Sequence, residues 1–125
     1  MAFTPTHTVC WIEIPVTDLD ASQAFYAKVF DWDMTRMEEG PNPTVFFKPD
    51  PMSDGVSGHL YPGKPSENGP TIHLVVPDSL KAAKERCASA GGKLVGDDTD
   101  LPVGTFCYAH DLDGNSIGLF EAKQA

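Results

Sequence analysis

A strand-turn-helix pattern occurs twice in the chain, and this repeat constrains the fold more than any other feature. The first copy spans residues 11–26 and the second begins at Thr71. Asp78 of the second copy follows Asp18 of the first by 60 positions. The same offset relates three further pairs: Val76 and Val16, Ile72 and Ile12, and Gly118 and Gly58. Four pairs in one register are improbable by chance, so the sequence predicts two modules of one architecture.

The first strand alternates between an apolar and a mixed face, which is typical of a half-buried strand. The apolar face carries Cys10, Ile12, Ile14 and Val16, and the opposite face carries Trp11, Glu13 and Pro15. Asp18 is a suitable cap for the following helix, which we expect to end near Phe30 or Asp31. In the second copy, Asp78 or Ser79 is expected to cap a helix that ends at Gly91 and Gly92.

Three more strands follow each helix, so each module has the order βαβββ. We place module one at about residues 8–61, a linker at about 62–69 and module two at about 70–122, within a single domain spanning 1–125. The acidic segment 97–100 is expected to be a solvated loop. A βαβββ unit cannot bury its sheet alone. Two such units are therefore expected to pair their open faces, which predicts an α+β fold.

Composition excludes some classes of function. The net charge of −9 argues against a nucleic-acid partner, because phosphate backbones are bound mainly by Lys and Arg. No apolar run is long enough to cross a membrane, and no leader peptide is recognisable. The three cysteines lack the spacing of a zinc site and are odd in number, which favours a reducing compartment. We therefore expect a cytoplasmic protein with no membrane partner.

Two stretches carry a family resemblance. One comprises residues 14–20 with Phe25, Tyr26 and residues 29–32, and the other comprises residues 110–115 leading into 119–121. Together they resemble the opening and closing motifs of the vicinal oxygen chelate superfamily, which includes glyoxalase I, extradiol dioxygenases, and fosfomycin- and bleomycin-resistance proteins. The chain is most similar to the small glyoxalase-like branch. The resemblance implies paired βαβββ modules that form an eight-stranded cupped mixed sheet with the helices outside. It also implies a cup that receives the substrate and, usually, a homodimer.

The resemblance also implies four positions for metal ligands. Many members of the family hold a divalent ion in the cup, where it polarises substrate oxygens as a Lewis acid. Aligned on the turn aspartates and the last strands, these positions fall on Trp11, Gly58, Thr71 and Gly118. None of these residues is a good metal ligand. We therefore expect that the standard metal site is absent and that no cofactor is required.

Other side chains are predicted to face the cup. Glu13 and His73 are 60 positions apart and are expected to meet at its floor as a hydrogen-bonded pair, a general base or two ligands of an unusual metal site. They could equally satisfy only each other. Trp11, Tyr61 and Tyr108 would add flat aromatic surface around a ligand, whereas we assign Phe47 to the core. Three further interpretations place His59 away from the side of Gly58, Cys107 and His110 on opposite faces of a strand, and Cys10 and Cys87 in the core.

The leading hypothesis is a glyoxalase-like protein that binds a small planar or apolar molecule through Trp11, Glu13, Gly58, Tyr61, Thr71, His73, Tyr108 and Gly118. One alternative is a divalent-metal-dependent lyase, isomerase or dioxygenase that uses Glu13, His73 and His59. Another is a cofactor-free acid/base enzyme that uses Glu13 and His73 as catalytic residues. A partner-binding role, with the acidic surface attracting a basic protein, is also open.

Overall fold

The computed structural model describes residues 5–6, 9, 11–66 and 68–123, and it confirms the βαβββ order of both modules. Module one consists of β1 (Trp11–Val16), α1 (Leu19–Phe30), β2 (Thr35–Met37), β3 (Thr44–Phe46) and β4 (Ser57–Pro62). Module two consists of β5 (Ile72–Val75), α2 (Leu80–Ser89), β6 (Lys93–Leu101), β7 (Gly104–His110) and β8 (Ser116–Ala122). Cys10, predicted to face the core, lies outside the described residues.

The eight strands form two four-stranded mixed sheets. Their orders are β1-β4-β3-β2 and β5-β8-β7-β6. In each sheet the first and last strands of the module pair in parallel, and the other neighbours are antiparallel. No backbone ladder joins β1 to β5 among the described residues, so these two strands flank a seam between the modules.

Local capping explains where the helices begin. The Asp18 carboxylate accepts a hydrogen bond from the Ala21 amide at 3.0 Å and caps α1. For α2 the cap is Ser79, whose hydroxyl accepts from the Ala82 amide at 3.0 Å. Asp78, the other candidate, instead forms a bidentate ion pair with Arg86. Its carboxylate therefore pairs with the guanidinium of a residue within α2 and does not cap the helix.

One hydrophobic core contains residues from both modules. Ile14, Val16 and Leu60 of module one and Ile117 and Leu119 of module two are almost fully buried in one cluster. Both helices pack on this side of the sheets and also contact each other. The predicted apolar face of β1 is thus confirmed. We call the opposite side of the two sheets, which the helices do not cover, the cup face.

A buried polar network joins the modules. The Tyr26 hydroxyl of α1 donates to the Asp111 carboxylate at 2.8 Å. The Asn115 side-chain amide donates to the same carboxylate at 3.0 Å and to the carbonyl of Pro15 at 2.7 Å. The Thr17 hydroxyl bonds to Asp113 in the same turn. The turn at residues 111–115 therefore links the start of module one to the end of module two by hydrogen bonds, and we call this network the polar clasp.

The structure corrects the predicted register of the last strands. Glu13 pairs with His59 across β1 and β4, whereas His73 pairs with Gly118 across β5 and β8. Glu13 and His73 are equivalent at an offset of 60, but His59 and Gly118 are then equivalent at an offset of 59. Gly58 is consequently not the counterpart of Gly118. It lies beside Ile12 on the core-facing side of β4 rather than on the cup face.

The acidic segment is also placed differently from the prediction. Residues 97–100 belong to β6, which pairs with β7 beyond an irregularity between Val95 and Thr99. They are exposed on an edge strand, where charged side chains discourage pairing with another chain. Within the described part of the chain, neither helix is long and apolar enough to cross a membrane.

Candidate functional site

The cup face presents aromatic and imidazole side chains from both modules. Module one contributes Trp11, Phe46, His59 and Tyr61, and module two contributes His73, Phe106, Tyr108 and Phe120. Trp11 is 38% exposed and Tyr108 is 42% exposed, which is high for large rings in a folded domain. This concentration of aromatic side chains on one side of the sheets makes the cup face the candidate site.

Three side chains of module one form a hydrogen-bonded chain on this face. The Trp11 Nε1–H donates to His59 Nδ1 at 2.9 Å, and His59 Nε2 lies 3.1 Å from Glu13 Oε1. An indole nitrogen can only donate, so His59 Nδ1 must be the acceptor. Nε2 therefore carries the imidazole hydrogen and donates it to Glu13. The register of β1 and β4 produces this arrangement, because it sets Glu13 beside His59 and both on the cup face.

Aromatic rings pack around this group of three hydrogen-bonded side chains. The ring centroids of Trp11 and Phe46 are 5.4 Å apart, as are those of Phe46 and His59. The side chain of His59 is only 14% exposed, whereas that of Glu13 is 64% exposed. Tyr61 lies edge-on to His59 at 6.3 Å. The imidazole is thus held between aromatic rings, and the carboxylate is presented to the cup.

The predicted pair of Glu13 and His73 is not brought together by a hydrogen bond. Glu13 bonds to His59 instead, within its own sheet. His73 lies in the other sheet, with its ring 4.9 Å from Phe106 and 5.7 Å from Tyr108. That ring occupies the space above Gly118, where an added Cβ would approach His73 Nδ1 to 2.1 Å. Glycine at position 118 therefore makes room for the imidazole.

Thr71 also has a partner in its own module. Its hydroxyl lies 2.5 Å from that of Ser116, across the start of β5 and β8. This contact mirrors the pairing of Trp11 with Ser57 in module one. Thr71 is therefore engaged with a neighbouring hydroxyl at the position that the family resemblance assigns to a ligand.

The residues at the four ligand positions do not fit a divalent ion. With the corrected register these positions hold Trp11, His59, Thr71 and Gly118. Indole and glycine offer no side-chain atom that can bind a metal ion, and both nitrogens of His59 are already hydrogen-bonded. Within the described ranges, no three His, Cys, Asp or Glu side chains form a group suited to a metal.

Cys87 and Cys107 belong to the core. Burial raises the pKa of the Cys87 thiol to about 11, and it also raises the pKa of Cys107. Both remain protonated near neutral pH and are poor nucleophiles. Cys107 is fully buried on the helix side of β7, so it cannot act with His110, as the alternation predicts. Phe47 is likewise in the core, with its ring 4.8 Å from that of Trp32.

Phe46, Phe106 and Phe120 are cup-face residues that sequence reasoning missed. Phe46 and Phe106 lie at alternate positions of strands β3 and β7, so period-two alternation could have indicated their faces. His59 was assigned to the wrong side because the last strands were aligned on their glycines. Only the spacing between Glu13 and its partner in β4 could have corrected that choice.

Comparisons with known proteins agree with this fold. A family model described as bleomycin resistance protein-like N-terminal matches residues 8–47. A glyoxylase-like domain-containing protein of Didymella fabae is 30% identical over 116 residues, which cover 86% of this chain and 88% of that protein.

Two solved structures are similar over almost their whole length. A glyoxylase/bleomycin resistance protein/dioxygenase domain from Frankia sp. EAN1pec superposes with a TM-score of 0.68 at 22% identity, covering 95% of this chain and 100% of that one. TnmS3, an antibiotic binding protein from Streptomyces sp. CB03234, superposes with a TM-score of 0.61 at 23% identity, covering 98% and 99%. These similarities concern the fold.

Proposed function

Because the chain belongs to the glyoxalase/bleomycin-resistance/dioxygenase superfamily, also called the vicinal oxygen chelate superfamily, we propose that its cup face binds a small planar or apolar organic molecule without a metal ion. The observation that carries this proposal is the hydrogen-bonded chain of Trp11, His59 and Glu13. It places an indole where the family resemblance assigns a metal ligand, and it occupies both nitrogens of the only imidazole among the four positions.

The chemistry of the face supports a planar ligand. Rings from both modules offer flat surfaces for offset or edge-to-face stacking. Glu13 adds one carboxylate that can accept a hydrogen bond and fix the orientation of a bound molecule. The antibiotic-binding neighbour TnmS3 indicates that this fold can serve binding, which supports the same role here.

The experiment is a screen of planar aromatic compounds by ligand-observed NMR, after dialysis against a chelator. We expect binders whose affinity falls about tenfold or more in Trp11→Ala, because about 1.4 kcal/mol of stacking and apolar contact is lost. Trp11→Phe is the matched control and should retain most of the affinity. Binders that are equally tight in Trp11→Ala would refute a site at this indole, and binding restored only by added metal would refute a metal-free site.

A second candidate function is cofactor-free acid/base catalysis, which the exposed carboxylate of Glu13 favours. His59 donates a hydrogen bond to one oxygen of Glu13, so this pair replaces the predicted pair of Glu13 and His73. An activity of this kind would survive chelation and fall 10²-fold or more in Glu13→Gln, while His73→Gln would leave it nearly unchanged. The metal-dependent alternative with His73 instead predicts that activity is lost upon chelation and in His73→Gln.

A homodimer is also part of the proposal, and sedimentation velocity measures the oligomeric state.

A further inference from the structure

Two clefts lie at opposite ends of the seam between β1 and β5. The first, which we call the linker cleft, has a volume of about 220 Å³, and the second has a volume of about 480 Å³. The two are related by the internal repeat: Glu13 in the first corresponds to His73 in the second, and Ser116 corresponds to Ser57. Only the linker cleft is walled by the intermodule linker, through Lys64, Ser66, Gly69 and Pro70.

The walls of the linker cleft are mainly apolar. Pro15, Pro70 and Ile72 form this apolar surface, whereas Ile14 and Ile117 also border the cleft but are almost fully buried in the core. Several polar groups at its edge are already occupied. The Asn115 amide donates to Asp111 and Pro15, and the Ser116 hydroxyl bonds to Thr71. The cleft therefore offers an apolar volume with few free hydrogen-bonding groups along its sides.

Two groups of opposite charge line this apolar volume. Glu13 comes from β1, with its side chain 64% exposed and only one oxygen engaged by His59. Lys64 comes from the linker and forms no ion pair with Glu13 in the described structure. A ligand that carries both charges can pair with each group while its apolar part contacts Pro15, Pro70 and Ile72.

We propose that the linker cleft binds a small zwitterion with an aliphatic body, of the class of an α-amino acid with a branched side chain. The ligand ammonium faces Glu13, the ligand carboxylate faces Lys64, and the side chain lies against Ile72 and Pro70. This site is distinct from the aromatic surface of the cup face. It goes beyond the proposed function and shares only Glu13 with it.

The test is isothermal titration with three probes of one shape: L-leucine, L-leucinamide and 4-methylpentanoate. Leucinamide lacks the carboxylate and 4-methylpentanoate lacks the ammonium. We expect saturable binding of leucine with a Kd of about 1 mM or tighter, and binding of each single-charge probe at least tenfold weaker. Absence of saturable leucine binding, or equal binding of either single-charge probe, would overturn the proposal.

Variants locate the site and separate it from the cup. Lys64→Met should weaken leucine binding about tenfold or more, because one charge-assisted contact is lost, while Lys81→Met on α2 is the matched control and should not. Tyr108→Ala changes the cup face in the other sheet, away from the hydrogen bonds that hold Glu13, and should leave leucine binding intact. Leucine binding lost in Tyr108→Ala and kept in Lys64→Met would assign it to the cup and refute the linker cleft.

Discussion

At the scale of single residues, the buried contact between Tyr26 and Asp111 has the clearest energetic consequence. Tyr26 is fully buried and Asp111 is 5% exposed, and each comes from a different module. Burial, and next the charge of Asp111, raises the pKa of Tyr26 well above its usual value. The phenol therefore remains a hydrogen-bond donor to a carboxylate that water reaches poorly.

Removing that donor should destabilise the protein. Tyr26→Phe leaves the Asp111 carboxylate with one fewer partner, which we expect to lower the free energy of unfolding by about 1–3 kcal/mol. Urea denaturation followed by circular dichroism measures the change. Tyr108→Phe is the matched control, since Tyr108 is 42% exposed, and it should change stability by less than about 0.5 kcal/mol. Equal effects of the two substitutions would contradict the role of this contact.

Cys87 predicts a stability loss at alkaline pH. Its pKa rises from 9.0 to about 11 on folding because burial disfavours the thiolate. The unfolded chain therefore loses the proton first, and the contribution is complete below about pH 9 and lost as the pH rises to 11. We expect the free energy of unfolding to fall by roughly 2 kcal/mol over this range from this group. Urea titrations from pH 8 to 11 should show a smaller fall in Cys87→Ala.

At the scale of elements, the periodicity of apolar residues predicted the buried face of a strand better than it predicted which residues pair across neighbouring strands. Alternation in β1 identified which of its side chains are buried, because burial follows the period of the strand. Pairing between strands depends on the length of the connection. His59 follows Glu13 by 46 positions, and Gly118 follows His73 by 45. This one-residue difference reverses the face of every aligned side chain in the last strand.

The acidic part of β6 was missed for a different reason. Its aspartates have low intrinsic preference for strands, so composition indicates a loop. Pairing with β7 overrides that preference, and exposure to water leaves the charges solvated. Tertiary contacts of this kind leave no periodic signal in a single sequence.

The corrected position of Gly58 makes a prediction about the pairing of β1 and β4. A Cβ at this residue would lie 2.2 Å from the carbonyl oxygen of Ile12, which is backbone and cannot rotate away. Gly58→Ala should therefore force the two strands apart and destabilise the protein by about 1–3 kcal/mol. Gly69→Ala, in the open linker, should be nearly neutral. Thermal melts of both variants compare them directly, and an unperturbed Gly58→Ala would contradict the register described here.

At the scale of the whole molecule, the two modules share one core and one polar clasp within a single chain. The resemblance in sequence was sufficient to predict the fold, because the turn motifs are the residues that make the clasp. The site was less predictable, since it depends on which side chains are adjacent across strands. Our division into modules at residues 62–69 and our expectation of a single domain remain predictions that limited proteolysis in the linker can test.

Our proposal requires that the cup face hold an organic molecule and no divalent ion. Native mass spectrometry can test this on protein purified without chelator, in the presence of a planar ligand from the screen. We expect a mass equal to the chain plus the ligand, with the ligand adduct lost in Trp11→Ala. A stoichiometric divalent metal adduct that disappears in His59→Ala would contradict it.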